Sequence, residues 1–207
     1  DYDDVKVVQG DTDRTPFGGG TGGSRTAVIA GNATREAALK VRDMVVEVAA
    51  HMLEAAPEDL EIAEGRVAVR GTPVRNVSLA DVAAAVHNAG TGLPSDTPRL
   101  LEATGRYETP SPTWSNACHI CTVEVDRVTG QVEILRYVVS EDCGRMLNPM
   151  VVEGQVHGGV VQGIGGVLYE HFVYDDAGNP LTTTFLDYLL PTAAEAPRIE
   201  IDHVVTD

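Results

Sequence analysis

Basic side chains are scarce in this chain. Fifteen Lys and Arg stand against 31 Asp and Glu among 207 residues, for a formal charge of −16. A surface so acidic repels phosphate backbones at long range, which excludes nucleic acid as a partner. Any anionic ligand has to be held locally, by backbone donors and a few placed side chains such as Arg25. Long apolar runs are also missing: nothing approaches the roughly 20 residues that span a bilayer, and Asp1-Tyr-Asp-Asp4 has none of the features of a signal peptide. The chain has no initiator methionine and opens in mid-pattern, so a piece of something longer is expected. Cysteine is sparse and odd in number, at three. That does not suggest a disulfide framework and points to a reducing, cytoplasmic setting. Aromatics make up only 5%, with a single tryptophan, Trp114. Burial at a contact between chain segments is expected for it.

Glycine, by contrast, is plentiful and clustered. Thr15-Pro-Phe-Gly-Gly-Gly-Thr-Gly-Gly-Ser-Arg-Thr26 carries five glycines just before the longest helical pattern in the chain. Glycines admit positive φ and close backbone approach, and Ser24 is suited to cap the helix behind it. Such a corner is an anion cradle, because unpaired N–H groups and the positive end of the helix dipole face the ligand. A flexible surface loop is the competing reading, and the residues alone leave both open. Two sharper motifs fail on context. Gly18-x-Gly20-x-x-Gly23 matches a dinucleotide fingerprint, but Asp11, Asp13 and Pro16 interrupt the tight strand-to-helix turn that it needs. A phosphate-binding P-loop needs Gly-Lys-Ser/Thr where this chain has Gly-Ser-Arg.

Ala27, Ala30, Gly31, Thr34, Ala37, Ala38, Val41, Met44, Val45, Val48, Ala49 and Met52 recur at spacings of three and four. This predicts one long buried helix from Ser24 to about Ala56, ended by Pro57. Gly31 inside it suggests close packing. Asp4–Gln9 reads as a strand leading into the corner. Leu60–Ala63 and Arg66–Arg70 flank Glu64-Gly65 as a tight hairpin, and Ser78-Leu-Ala-Asp81 opens a short helix reaching about His87. From Asn88 to Asn116 the composition turns to Gly, Pro, Ser and Thr, which predicts a long connection over the surface or across to another domain.

In the second half, Cys118–Val125 and Gln131–Val139 flank Asp126-Arg-Val-Thr-Gly130 as a hairpin. Cys118 and Cys121 have metal-motif spacing, but positions three apart on a strand point to opposite faces. Buried structural cysteines are therefore expected, with His119 packed. Pro149 suits the first turn of a second Gly-rich helix, whose small residues at 159, 163 and 166 permit a near neighbour, with the long helix as the candidate. Gln155 and Gln162 lie seven apart and share one face, either to present amides to a polar ligand or simply to be solvated. His171–Tyr174 and Leu181–Thr184 flank a further hairpin turn, and Arg198–Val205 alternates as a last strand. The sum is an α/β fold of two helices packed on small mixed sheets, in two lobes, 1–103 and 104–207.

Gly10-Asp-Thr-Asp13, Thr15-Pro16 and Thr21-Gly-Gly-Ser-Arg-Thr26 together resemble the pterin-contacting segment of the large subunit of molybdenum hydroxylases, the xanthine dehydrogenase, aldehyde oxidase and carbon monoxide dehydrogenase family. His119-Ile-Cys-Thr-Val-Glu-Val-Asp126 with Thr129-Gly130 is similar to its hairpin. Asp142-Cys-Gly144, Asn148-Pro149, Val152-Glu-Gly-Gln155, Gly158-Gly159 and Gln162-Gly-Ile-Gly165 resemble its second cofactor-contacting helix, and Leu186-Asp-Tyr188 with Pro191-Thr192 resembles the segment after it. The likeness spans nearly the whole chain in order.

The resemblance implies a molybdenum-bearing pterin dinucleotide, the cytosine form, and hydroxylation of an aldehyde or N-heterocycle or oxidation of carbon monoxide. It also implies electron exit through FAD and 2Fe-2S groups on partner domains or subunits, with further segments of the same large subunit and a small-molecule substrate completing the assembly. Transferred by position, Thr21, Gly22, Gly23, Ser24, Arg25 and Thr26 would bond the pterin and its phosphates, Gln155 the pterin or nearby metal ligands, and Gln162 would be a further contact. No side chain in this chain is expected to ligate metal directly. The family's catalytic glutamate is expected beyond the Pro-Thr segment, its Gly-Gln-Gly type loop before Asp1, and the chain alone is expected to be inactive. A scaffold that kept the fold and lost the cofactor is the alternative.

Overall fold

The computed structural model describes residues 2–15, 18–88 and 92–206; Pro16 and Phe17 of the Gly-rich run and part of the long connection lie outside them. The chain divides into two compact units, the first ending at Ser111 and the second starting at Pro112.

The first unit is built on α1 (Asn32–Leu53), which is preceded by one π-helical turn over Ala27–Gly31. Counting the π turn, the helix thus starts three residues later than predicted, at Ala27 rather than Ser24, and ends three residues earlier, at Leu53. Left-handed Glu54 (φ 47°) turns the chain out, and the Ala55 N–H takes the Ala50 carbonyl at 3.0 Å, a local closure that needs no proline. Burial is confined to the C-terminal turns, where Val45, Val48, Ala49 and Ala50 are covered; the N-terminal half is exposed or half-buried.

Those turns pack on β1 (Leu60–Ala63), β2 (Arg66–Val69) and α2 (Leu79–His87), with Leu60, Val67, Val82 and Val86 in one core. The β1–β2 turn has both central residues left-handed, Glu64 at 49° and Gly65 at 73°, the twist-matched hairpin geometry. A third strand, β3 (Thr72–Ser78), pairs with β2 through a turn at Gly71; it escapes sequence reading because Pro73 and Asn76 break its alternation. Ser78 caps α2 as expected, its Oγ accepting from the Asp81 N–H at 3.0 Å. Asp4–Gln9 forms no strand: a 3₁₀ turn over Tyr2–Asp4 leads into exposed chain, and among the described residues no strand lies beside it to take its hydrogen bonds.

The connection after α2 is packed rather than loose. Leu93 and Leu101 join the first core, Thr97 is buried with its hydroxyl on the Pro94 carbonyl at 2.7 Å, and the Lys40 Nζ donates to the Thr104 carbonyl at 3.0 Å. Gly105 crosses α1 directly: a Cβ there would lie 2.9 Å from the Ala33 carbonyl carbon and the Ala37 nitrogen, and closer still to the Ala33 oxygen. The close approach foreseen at Gly31 is therefore made by Ala33 and Ala37; at Gly31 an added Cβ meets nothing within 4 Å.

The second unit joins β4 (Asn116–Val125) and β5 (Val132–Asp142) as an antiparallel hairpin, with β6 (Ile199–His203) parallel to β5 on its other side. The Asp126 Oδ1 accepts from the Val128 and Thr129 N–H groups at 2.7 and 3.1 Å, and Gly130 completes the turn at φ 77°. Helix α3 (Pro149–Leu168) makes the crossover from β5 to β6 and seats Val160 and Ile164 on Val139 and Ile199.

Because that core lies over β5 and β6, the edge strand β4 is exposed along its whole length. Cys118, Cys121 and Cys143 are free thiols on the surface, contrary to the expectation of burial for Cys118 and Cys121. His119 is likewise exposed, its ring against Tyr137, whose hydroxyl lies 3.3 Å from its Nδ1. Trp114, expected to be buried, is 83% exposed. Residues 171–184 form the expected turn, with Asp175 accepting from the Ala177 and Asn179 N–H groups, but the flanks make one bridge, Tyr174 to Pro180, and no strands.

The surface is unusually large. The chain exposes 15722 Å², whereas two separate compact bodies of about 11 kDa each would expose about 11,000 Å² by size scaling. Much of the excess is apolar, including Leu147, Phe185, Leu186 and Val128.

Candidate functional site

Two segments stand out from the fold. In the first unit the chain turns over Asp11–Arg14, with the Arg14 and Thr15 N–H groups on the Asp11 carbonyl at 3.1 and 2.8 Å, and then enters the glycine run. Gly20, Gly23 and Ser24 are all left-handed, at 66°, 59° and 57°. Ser24 is therefore not the helix cap, because a cap residue has extended backbone. Thr26 occupies the position before the π turn, without a side-chain cap; its hydroxyl donates instead to the Thr21 Oγ1 at 3.1 Å, across the mouth of the turn.

Thr21, Gly22, Gly23, Ser24, Arg25 and Thr26 are all exposed. A Cβ added at Gly18, Gly19, Gly20 or Gly22 would meet no atom within 4 Å. Among the described residues the Gly22 carbonyl accepts from the Arg25 N–H at 3.4 Å, while the Gly22 and Gly23 N–H groups donate to none. The Arg25 side chain lies alongside Gly23. The corner thus presents unspent backbone donors, two hydroxyls and a guanidinium around open space, the donor set that suits an anionic organic ligand.

In the second unit, α3 carries Gln155 and Gln162 on the face opposite Val156, Val160 and Ile164. Both glutamines are exposed, and Gly159 and Gly166 share their stripe, with nothing within 4 Å of an added Cβ. The helix start is well defined: the Asn148 Oδ1 accepts from the Val151 N–H at 3.3 Å and Pro149 fills the first turn. Just upstream, the Asp142 Oδ1 accepts from the Gly144 N–H at 2.8 Å and its Oδ2 from the Thr206 hydroxyl at 2.6 Å. Those bonds, the Thr206 hydroxyl first, hold the Asp142 carboxyl below its ordinary value of 3.8, whereas burial and then the Glu141 charge push the Cys143 thiol up, leaving it protonated and a poor nucleophile. Glu141 is buried and lies 3.0 Å from the His203 Nδ1.

Thr21–Thr26 belong to the first unit and the two glutamines to the second. Among the described residues no group of three or more His, Cys, Asp or Glu could hold a metal ion, and no helix is long and apolar enough to cross a membrane. Sequence reading missed the Gly105 crossing and the Asp142–Thr206 pair. The second joins residues 64 apart and leaves no local signal.

Comparison with known proteins bears on the same residues. The family model for the molybdopterin cofactor-binding domain matches residues 1–197. The nicotine 6-hydroxylase large subunit of Paenarthrobacter nicotinovorans is 44% identical over 205 residues, 99% of this chain and 25% of that protein. The carbon monoxide dehydrogenase large chain of Hydrogenophaga pseudoflava is 39% identical over 203 residues, 98% of this chain and 25% of that one. In structure, the Cu,Mo-CO dehydrogenase in its carbon monoxide reduced state superposes with a TM-score of 0.82 at 38% identity, covering 99% of this chain and 25% of the other. The chain therefore spans about a quarter of the length of the curated relatives that it matches. A family match over nearly all of its length, with the fold to go with it, means that the chain belongs to the molybdopterin cofactor-binding domain family found in the large subunits of molybdenum hydroxylases.

Proposed function

We propose that this chain is part of the cofactor-binding large subunit of an oxidoreductase that hydroxylates an aldehyde or N-heterocycle, or oxidises carbon monoxide. The observation that carries the reading is the open corner at residues 20–26, with its unspent N–H groups, within a chain matched to the molybdopterin-binding family over residues 1–197. In this reading the Gly22 and Gly23 N–H groups and the Thr21 and Thr26 hydroxyls bond the pterin and its phosphates. Arg25 adds local positive charge on an otherwise acidic protein. Gln155 presents its amide to the pterin or to groups on the metal, and Gln162 extends the same face. When bound, a molybdopterin cytosine dinucleotide supplies two-electron redox chemistry; the chain's own part is to bind, orient and shield it.

The relatives' names, a large subunit and a large chain, support partner subunits, and so does the excess of exposed apolar surface; that those partners carry FAD and 2Fe-2S groups is part of the same proposal. Further segments of the large subunit, a small-molecule substrate and a cytoplasmic location belong to the same proposal, the last supported by three unpaired thiols. A scaffold without cofactor is not favoured, since such a protein has no use for open left-handed backbone at 20–24.

Gln155→Leu in the intact protein tests the contact on α3. The amide is lost from an exposed face opposite the core, so the melting midpoint should stay within about 2 °C while molybdenum per large subunit falls about tenfold or more. Unchanged molybdenum content would remove Gln155 from the site.

A further inference from the structure

We infer that Asp142 is a positioning residue for the cofactor-facing amide of Gln155 on α3, a role that rests on the function proposed above. β5 and β6 run parallel and leave the sheet at the same end, where Glu141 is in register with His203. One residue further on, the Asp142 carboxylate collects three donors: the Gly144 N–H at 2.8 Å, the Thr206 hydroxyl at 2.6 Å and the Thr206 N–H at 3.5 Å. The clasp ties the exit of β6 to the turn in which left-handed Gly144 (φ 72°) sends the chain toward α3.

Between that turn and the Asn148 cap, residues 143–147 make no backbone-to-backbone hydrogen bond among the described residues, and Leu147 stands in the open. The covered residues of α3, Val160, Ile164 and Gly165, all lie in its second half; Val152 and Val156 are only half-buried. The first turns, which carry Gln155, therefore take their direction from Val156, half-buried against the second core, and from the 142–148 segment, whose Asp142 end is tied to the sheet. Gln162 lies beside the covered turns and is held independently of the clasp.

The test uses the intact protein and reads molybdenum per large subunit beside the melting midpoint. Asp142→Ala removes all three bonds and should lower molybdenum content about tenfold or more. Asp142→Asn should restore most of it, because the remaining oxygen still accepts from Gly144 and the new amide can donate to the Thr206 hydroxyl. Thr206→Val, which keeps shape and loses only the hydroxyl bond, should give a partial loss with the melting midpoint nearly unchanged; it supplies the answer if Asp142→Ala does not fold. Asp175→Ala is the control, since it strips an equally dense set of bonds from a turn in the same unit that is no part of α3. It should cost stability and leave molybdenum in place. Equal molybdenum in Asp142→Ala and wild type, or losses in Asp142→Ala and Asp175→Ala that both simply follow the melting midpoint, would overturn the inference. Wild-type protein without molybdenum would overturn the proposed function, and this inference with it.

Discussion

Gly105→Ala is expected to unfold the first unit well below the wild-type transition, because the new methyl has no direction in which to move. It would fall 2.9 Å from the Ala33 carbonyl carbon and the Ala37 nitrogen, both of them backbone atoms of α1 that no rotamer change can withdraw. Relief requires lifting the 101–105 strap off the helix. That exposes Leu101, which packs on the first core, and breaks the bond from the Lys40 Nζ to the Thr104 carbonyl. Overpacking of this kind costs about 3 kcal/mol or more, a large share of the roughly 5–15 kcal/mol that holds an ordinary domain together. The melting midpoint should fall by about 10 °C or more.

Gly31→Ala is the matched control. It lies in the same helical stretch with normal helical backbone and nothing within 4 Å of its new methyl, so it should be neutral or stabilising by about 0.5–1 kcal/mol. A Gly105→Ala protein that melts within about 2 °C of wild type would refute the crossing.

The second large effect is expected at Ser24. Its left-handed backbone sits beside Gly22 and Gly23, whose N–H groups are the unspent donors of the corner. Ser24→Trp places an indole where the ligand would lie, at a φ that bulky side chains resist. Molybdenum occupancy of the intact protein should drop about tenfold or more, equivalent to a loss of at least about 1.4 kcal/mol in binding. Ser24→Gly keeps the space open, relieves the left-handed backbone and should retain the metal. Full occupancy in Ser24→Trp would show that the corner does not face the cofactor.

What could be read from the residues follows how local each signal is. The Glu64-Gly65 and Asp126–Gly130 turns, the Ser78 cap and the Pro149 start all rest on contacts within five residues, and each stands in the structure where sequence placed it. The apolar phase of α1 marked the correct face but overstated its burial, because phase says which side is apolar and not whether anything covers it. The same limit explains Cys118, His119, Cys121 and Trp114. Each is apolar or amphipathic enough to be buried, yet the partner surface is not among the described residues. The strand expected at Asp4–Gln9 does not form, because local alternation says nothing of whether distant chain supplies a partner, and the two long-range contacts that matter most to this account, Gly105 on α1 and Thr206 on Asp142, were missed. For the candidate site, the Gly-rich corner ahead of the long helix was legible, but its construction was not. The turn is made by left-handed backbone at 20, 23 and 24, and the expected capping of a helix by Ser24 does not occur.

The most direct test of the central claim is the composition of the purified intact protein, with molybdenum measured by elemental analysis and nucleotide measured after acid hydrolysis of the same sample. The account predicts molybdenum and cytidine monophosphate in equal amounts, close to one of each per large subunit. A well-folded preparation, made in cells able to synthesise the cofactor, that contained neither would contradict it.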